Sequence, residues 1–222
     1  MAKTELAYES YLLKVEKNGV NDGLSTSRDR FVIAYNEAQN KFSEFHLQNR
    51  GSDDIRYIEH LLVLDKKILP TSKISDHYNF PLPSNYLDLA DVRGKCSQGT
   101  CTNQDLDLFD IEKAENISTL IGDEDNKPSF KWREAPYLIA SNKVNVYTDN
   151  TFSVNEILLS YYKYPTKIAL LDPLDPESKF DESIIIEWDA KSLDRIISLT
   201  AGEFDMNTNN PRFQAQNARA QK

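Results

Sequence analysis

Cys96 and Cys101 are the only two cysteines, and they lie close together near Gly94 and Gly99. A zinc site needs about four nitrogen or sulfur ligands at set spacings. The only histidines, His46, His60 and His77, form no paired motif with the cysteines. Two free thiols in a loop or hairpin of a protein kept in a reducing compartment is the simpler reading; whether they pair stays open. Asp105-Leu-Asp107-Leu-Phe-Asp110 has the first two acids of a calcium loop. It lacks the glycine and the terminal glutamate such a loop requires. Aspartate alternating with leucine reads more simply as a strand with one wet face. Asp123-Glu124-Asp125 could hold a cation weakly. Tyr161, Tyr162 and Tyr164 beside Lys163 and Lys167 could form a stacking platform for bases, but alternate residues of a strand face opposite sides, so half of them should pack inward.

Other chemistry is missing. The seven glycines form no phosphate-binding loop, and there is no G-x-S-x-G elbow. Glu59-His60 has no second histidine near it. A pair of carboxylates facing each other across a cleft, about 5–10 Å apart, is the one catalytic device that sequence leaves open. No catalytic residue, metal ligand or cofactor is assigned.

With 40% hydrophobic and 27% charged residues, the 222-residue chain has the make-up of a globular protein. Its length suits one large domain or two small ones. A net charge of −9 disfavours unspecific attachment to a DNA backbone. No apolar run approaches the length of a membrane span. Met1-Ala-Lys-Thr-Glu-Leu lacks the apolar stretch of a secretory signal, so the expectation is a cytoplasmic product with no membrane partner.

The elements that would position these residues fall into four parts. Residues 1–70 read as the N-terminal part of a helical body. A helix over 4–17 offers Leu6, Leu13 and Val15 as anchors. After Asn18-Gly19 and Asp22-Gly23, Ser27 caps a second helix. Phe31, Ala34, Tyr35, Ala38, Phe42 and Phe45 form one stripe on it, ending near Asn49-Arg50-Gly51. Ser52 and Asp53 can cap a short helix to about His60, and Leu61–Leu69 is open between helix and strand. Residues 71–170 read as an antiparallel β-rich module, a sandwich or small barrel, with strands at 87–92, 106–111, 137–140, 144–147 and 157–164, and a helical turn in 112–121. Residues 171–204 supply a proline-stiffened connector, Ile184-Ile-Ile, and a helix capped by Asp189 with Leu193, Ile196, Ile197 and Thr200 on one face and Gly202 at its end. Residues 205–222 form an extended arm. From Asn207 on it has no acid and three bases, Arg212, Arg219 and Lys222, with Phe213 as its one large apolar group. The fold class is therefore α+β.

Taken together, the aromatic-striped helices, Phe80-Pro-Leu-Pro-Ser-Asn-Tyr86, Pro128-Ser-Phe-Lys-Trp-Arg-Glu-Ala-Pro-Tyr137, the module closing on Tyr161-Tyr-Lys-Tyr-Pro165, and the final helix and tail resemble a known group. The chain looks like the head–tail connector and ring (adaptor) proteins of tailed bacteriophages, those of the crAss-like phages in particular. The resemblance covers most of the chain but includes no catalytic signature. It implies a non-enzymatic virion protein at the viral neck, made in the host cytoplasm. It implies a ring of about twelve identical subunits that repeats one heterologous interface. It further implies docking on the portal protein, a platform for further ring or tail proteins, and a channel through which DNA passes during ejection without specific binding. The residues that would meet the portal or a neighbouring subunit are Arg212, Phe213 and Arg219 on the arm, and Phe31, Tyr35, Phe42 and Phe45 on the stripe. Two other classes stay open: a tail-hub or tail-tube-associated component, and a glycan hydrolase using an Asp/Glu pair.

Overall fold

The structure, a computed structural model, describes residues 3–17, 27–49, 53–111, 117–123, 127–175 and 178–206. These form two compact units. One comprises the residues up to His60 together with those from Tyr164 on; the other is Leu61–Lys163. The fold is mixed α+β: helices in the N- and C-terminal parts of the chain, and a curled eight-stranded sheet in the middle. The arm, with Arg212, Phe213 and Arg219, lies outside the described residues.

The α-helices among the described residues are α1 (Lys3–Lys17), α2 (Arg28–Gln48), the short α3 (Ile117–Gly122) and α4 (Ala190–Met206). A 3-10 helix spans Asp53–Leu61. In the helical unit α4 packs against both α1 and α2. The inward face of α1 is Thr4, Ala7, Tyr11 and Val15, at helical spacing. Of the three anchors expected from the sequence, Val15 is buried, while Leu6 and Leu13 are exposed. Tyr11 buries far more apolar surface than either leucine and sets the rotation of the helix. On α2 the stripe holds: Phe31, Tyr35, Ala38 and Phe42 are buried, with Gln39, Ser43 and His46 beside them. Ser27 occupies the N-cap with extended backbone, but its hydroxyl goes to Asp29 and not to a backbone N–H. The α4 cap is made as the sequence suggests, with the Ser192 N–H donating to Asp189 Oδ1 at 2.7 Å. α4 does not stop at Gly202 but continues to Met206. An interior glycine costs a helix only about 1 kcal/mol, and Gly202 is buried, so packing outweighs that cost.

The second unit is one sheet of strands β1 (Leu62–Ile68), β2 (Ser72–Ile74), β3 (His77–Pro81), β4 (Tyr86–Gln98), β5 (Cys101–Asp110), β6 (Glu134–Ala140), β7 (Lys143–Tyr147) and β8 (Ser153–Lys163). Their order is β1-β8-β4-β5-β6-β7-β3-β2. The two edge strands, β1 and β2, are consecutive in the chain and joined only by residues 69–71. In a flat sheet, seven inter-strand spacings would separate the edges by about 33 Å. Four backbone steps span at most about 14 Å. The sheet must therefore curl into a half-barrel, and the bulges along β4 and in β1 give it the bend. One core lies inside the curl: Phe80, Val92, Leu106, Val144, Val146, Val154, Ile157 and Leu159 come from strands far apart in the order.

Several strand expectations change. The stretch 61–69, open between helix and strand in the sequence, supplies strand Leu62–Ile68. The strands expected at 87–92 and 106–111 belong to one long hairpin whose polar end, Arg93–Gln98 with Cys101–Asp105, looks like a loop in sequence. It pairs because Val92, Gly94 and Cys96 alternate inward while Lys95 meets Asp105 on the outer face. The module is also not wholly antiparallel. β5 and β6 run parallel, a pairing that a tight hairpin cannot make. The two-residue turn Ser141-Asn142, with both φ values positive, closes β6 on β7.

Candidate functional site

The residues that could do chemistry are mostly accounted for by packing. Cys96 sits in β4 with its side chain in the core, and burial pushes its thiol pKa up. Cys101 starts β5 across the turn and is exposed; both are free. The raised pKa makes Cys96 a poor nucleophile. Asp105 and Asp107 lie on the outer face of β5, with Leu106 between them buried. Asp105 accepts from Lys95 Nζ at 2.7 Å, and this contact holds its carboxyl below the usual range. That is the wet-strand arrangement and not a chelating loop. Among the described residues no three His, Cys, Asp or Glu side chains cluster closely enough to hold a metal ion.

The tyrosines divide as a strand requires. Tyr161 is buried in the curl, with its hydroxyl donating to Asn85 Oδ1 at 3.0 Å and its ring against Tyr86. Tyr162 is buried on the opposite face, and Tyr164 alone of the three is exposed. A three-ring stacking platform is therefore not formed. The segment Phe80–Tyr86 connects β3 to β4, with Phe80 wholly buried.

The nearest approach to an acid–base pair is Asp76-His77, where His77 Nδ1 is 3.1 Å from Asp76 Oδ1 and the imidazole lies against Tyr147. Burial, with Asp76 nearby, pushes the Tyr147 phenol up. Asp76 also accepts the Thr148 N–H through its main-chain carbonyl at 2.7 Å, so the group ties the end of β7 to the start of β3. In the helical unit, burial raises Tyr11 to about 12 and raises Tyr35 further. Such phenols stay protonated at neutral pH. Each described carboxylate with a resolved shift, Asp29, Asp105, Asp181 and Asp189, moves down, away from the raised value a glycosidic general acid needs.

The aromatic stripe was expected to supply a subunit interface. Phe31 and Tyr35 are wholly buried and Phe42 nearly so, inside the unit's own core. Phe31 packs among Tyr8, Tyr11, Tyr35 and Phe180, and Phe42 meets Trp188 edge-on. They are consumed by folding and cannot also meet a neighbour. Of the four, only Phe45 reaches the surface, at 40% exposure.

The most exposed large apolar groups are not among the contact residues expected from the sequence. Leu174 is 94% exposed, followed by Ile185, Trp132 at 69%, Leu64 and Leu171. Exposed aromatic and aliphatic groups of this kind are what interfaces use as anchors. The signal in sequence was faint: an apolar residue between prolines or charges, in a turn.

No protein-family model matches the chain. No curated protein matches it significantly. No helix among the described residues is long and apolar enough to cross a membrane.

Proposed function

We propose that the protein is a structural component of a phage virion, a head-to-tail adaptor whose identical copies form a ring on the portal. The observation that carries this reading is the set of large apolar side chains held at the surface outside completed cores, Leu174 and Trp132 foremost. Single exposed apolar groups are common on monomers; a subunit of a ring can use such groups as anchors of its repeated interface. The β1 edge, by contrast, is bulged and carries Asp65, Lys66 and Lys67, and β2 is three residues long. These features discourage open-ended edge pairing and favour side-chain contacts that close. The acidic balance suits a conduit that DNA passes without sticking.

The basic arm is the second part of the proposal. α4 ends at Met206, so removing residues 207–222 leaves every described element intact. On this reading the truncated protein keeps its melting temperature and loses ring or portal affinity, and Phe213→Ala gives part of that loss. Electron microscopy of virions tests the whole proposal: rotationally repeated density at the neck supports it, and location in the capsid shell or distal tail alone defeats it. Reproducible glycan hydrolysis abolished by one Asp or Glu substitution would favour the enzymatic reading instead.

A further inference from the structure

Two exposed tips on this chain are opposite in charge and alike in apolar content. The first is the turn before β6. Ser129 and Glu134 exchange both backbone hydrogen bonds, at 2.9 and 3.1 Å, and the Trp132 N–H reaches Ser129 Oγ. Arg133 is held at φ 59° while its carbonyl accepts the Asp107 N–H at 2.7 Å. A left-handed arginine is a conformation the surroundings must impose. Its effect is to push Trp132 outward, flanked by Lys131 and Arg133, all three exposed, with the Lys131 ammonium 5.0 Å from the indole centroid.

The second tip is the loop at 171–175. Its base is closed by the Leu170–Phe180 bridge and by the Leu171 N–H on the Lys179 carbonyl. Phe180 is anchored among Tyr8 and Phe31. At the tip the Leu174 N–H donates to Asp172 Oδ1 at 3.0 Å, an Asx turn that leaves Leu174 almost fully in water. Residues 171–175 read Leu-Asp-Pro-Leu-Asp: apolar groups alternating with two acids and no base. Residues 131–133 read Lys-Trp-Arg: one large apolar group between two bases and no acid.

We infer that these tips are the two halves of one contact between copies of this chain: the Lys131-Trp132-Arg133 turn of one copy seats on the Leu171–Asp175 loop of the next. The inference deepens the ring reading and rests on it. Because the halves differ, the contact is heterologous, and each copy keeps one half free for a further copy, as ring closure requires. The indole covers Leu171 and Leu174 while the cations meet Asp172 and Asp175, the pairing of aromatic and charge that dominates strong interfaces.

The test uses the full chain and two surface variants, Trp132→Ala and Leu174→Ser, neither of which touches a core. The oligomeric state is read by native mass spectrometry and light scattering, with the melting temperature as a check on folding. The wild type should form multi-copy species, and each variant should associate at least about thirtyfold more weakly. An equimolar mixture of the variants should yield one-to-one dimers and nothing larger, since each pair retains one intact contact. If the wild type assembles and either variant assembles equally well, this contact is wrong while the ring reading survives. The contact is also wrong if the mixture fails to dimerise. A wild type that stays monomeric at every concentration overturns the ring reading and this inference with it.

Discussion

The indole N–H of Trp188 donates to Gln39 Oε1 at 3.1 Å, both residues about 1% exposed, across 149 positions of sequence. Gln39 uses its amide nitrogen as well, donating to Asn36 Oδ1 and to the Thr166 carbonyl. Asn36 in turn both donates to the Ile168 carbonyl and accepts its N–H. Two polar residues on one face of α2 thereby hold the segment after Tyr164 and the tryptophan ahead of α4. Gln39→Leu should leave the Trp188 N–H buried without an acceptor and cost about 1–3 kcal/mol. Trp188→Ala should cost about 3–5 kcal/mol. Urea unfolding measures both, and a Gln39→Leu protein as stable as wild type would show the network to be incidental.

Gly94 faces the interior of the curl opposite Leu106. A Cβ there would stand 3.2 Å from Leu106 Cδ2 and 3.3 Å from its Cβ. Gly94→Ala should therefore cost about 1–3 kcal/mol by overpacking. Gly99, at φ +57° with open space around it, should cost about 1–2 kcal/mol on change to Ala for a different reason, backbone strain. Adding Leu106→Ala should relieve part of the first penalty and none of the second, which a double-mutant cycle resolves.

Asp189 caps α4, and the Ser192 N–H it accepts holds its carboxyl below the ordinary 3.8. A group with a lowered folded pKa stabilises above its unfolded pKa and loses that contribution as pH falls through the folded value. Asp189→Ala should cost about 0.5–2 kcal/mol at neutral pH. The gap to wild type should close as pH drops below about 4. A gap that widens in acid would contradict the assignment.

The two thiols should differ in reactivity. Cys101 is exposed, and Cys96 is buried with its pKa raised. Under native conditions a thiol reagent should modify one site, lost in Cys101→Ser. The second should appear only on unfolding. Rapid modification of both in the folded protein would mean that the β4–β5 hairpin opens readily.

Sequence by itself determined the elements whose signal is local. The α2 stripe declares itself because apolar groups recur every three or four residues, and Asp189 because a cap depends on its own next three residues. The tertiary structure decided what those elements are for. Periodicity says that Phe31, Tyr35 and Phe42 share a face, but not whether that face meets another part of the same chain or another molecule. Only the arrival of Phe180 and Trp188, far along the sequence, settles that they are core. The same holds for the long β4–β5 hairpin and the parallel β5–β6 pair, which depend on partners from distant strands. Exposure too is a property of what fails to cover a residue. Trp132 and Leu174 carry only a faint local sign of it, and they become candidate contact residues only when every other element has found its place.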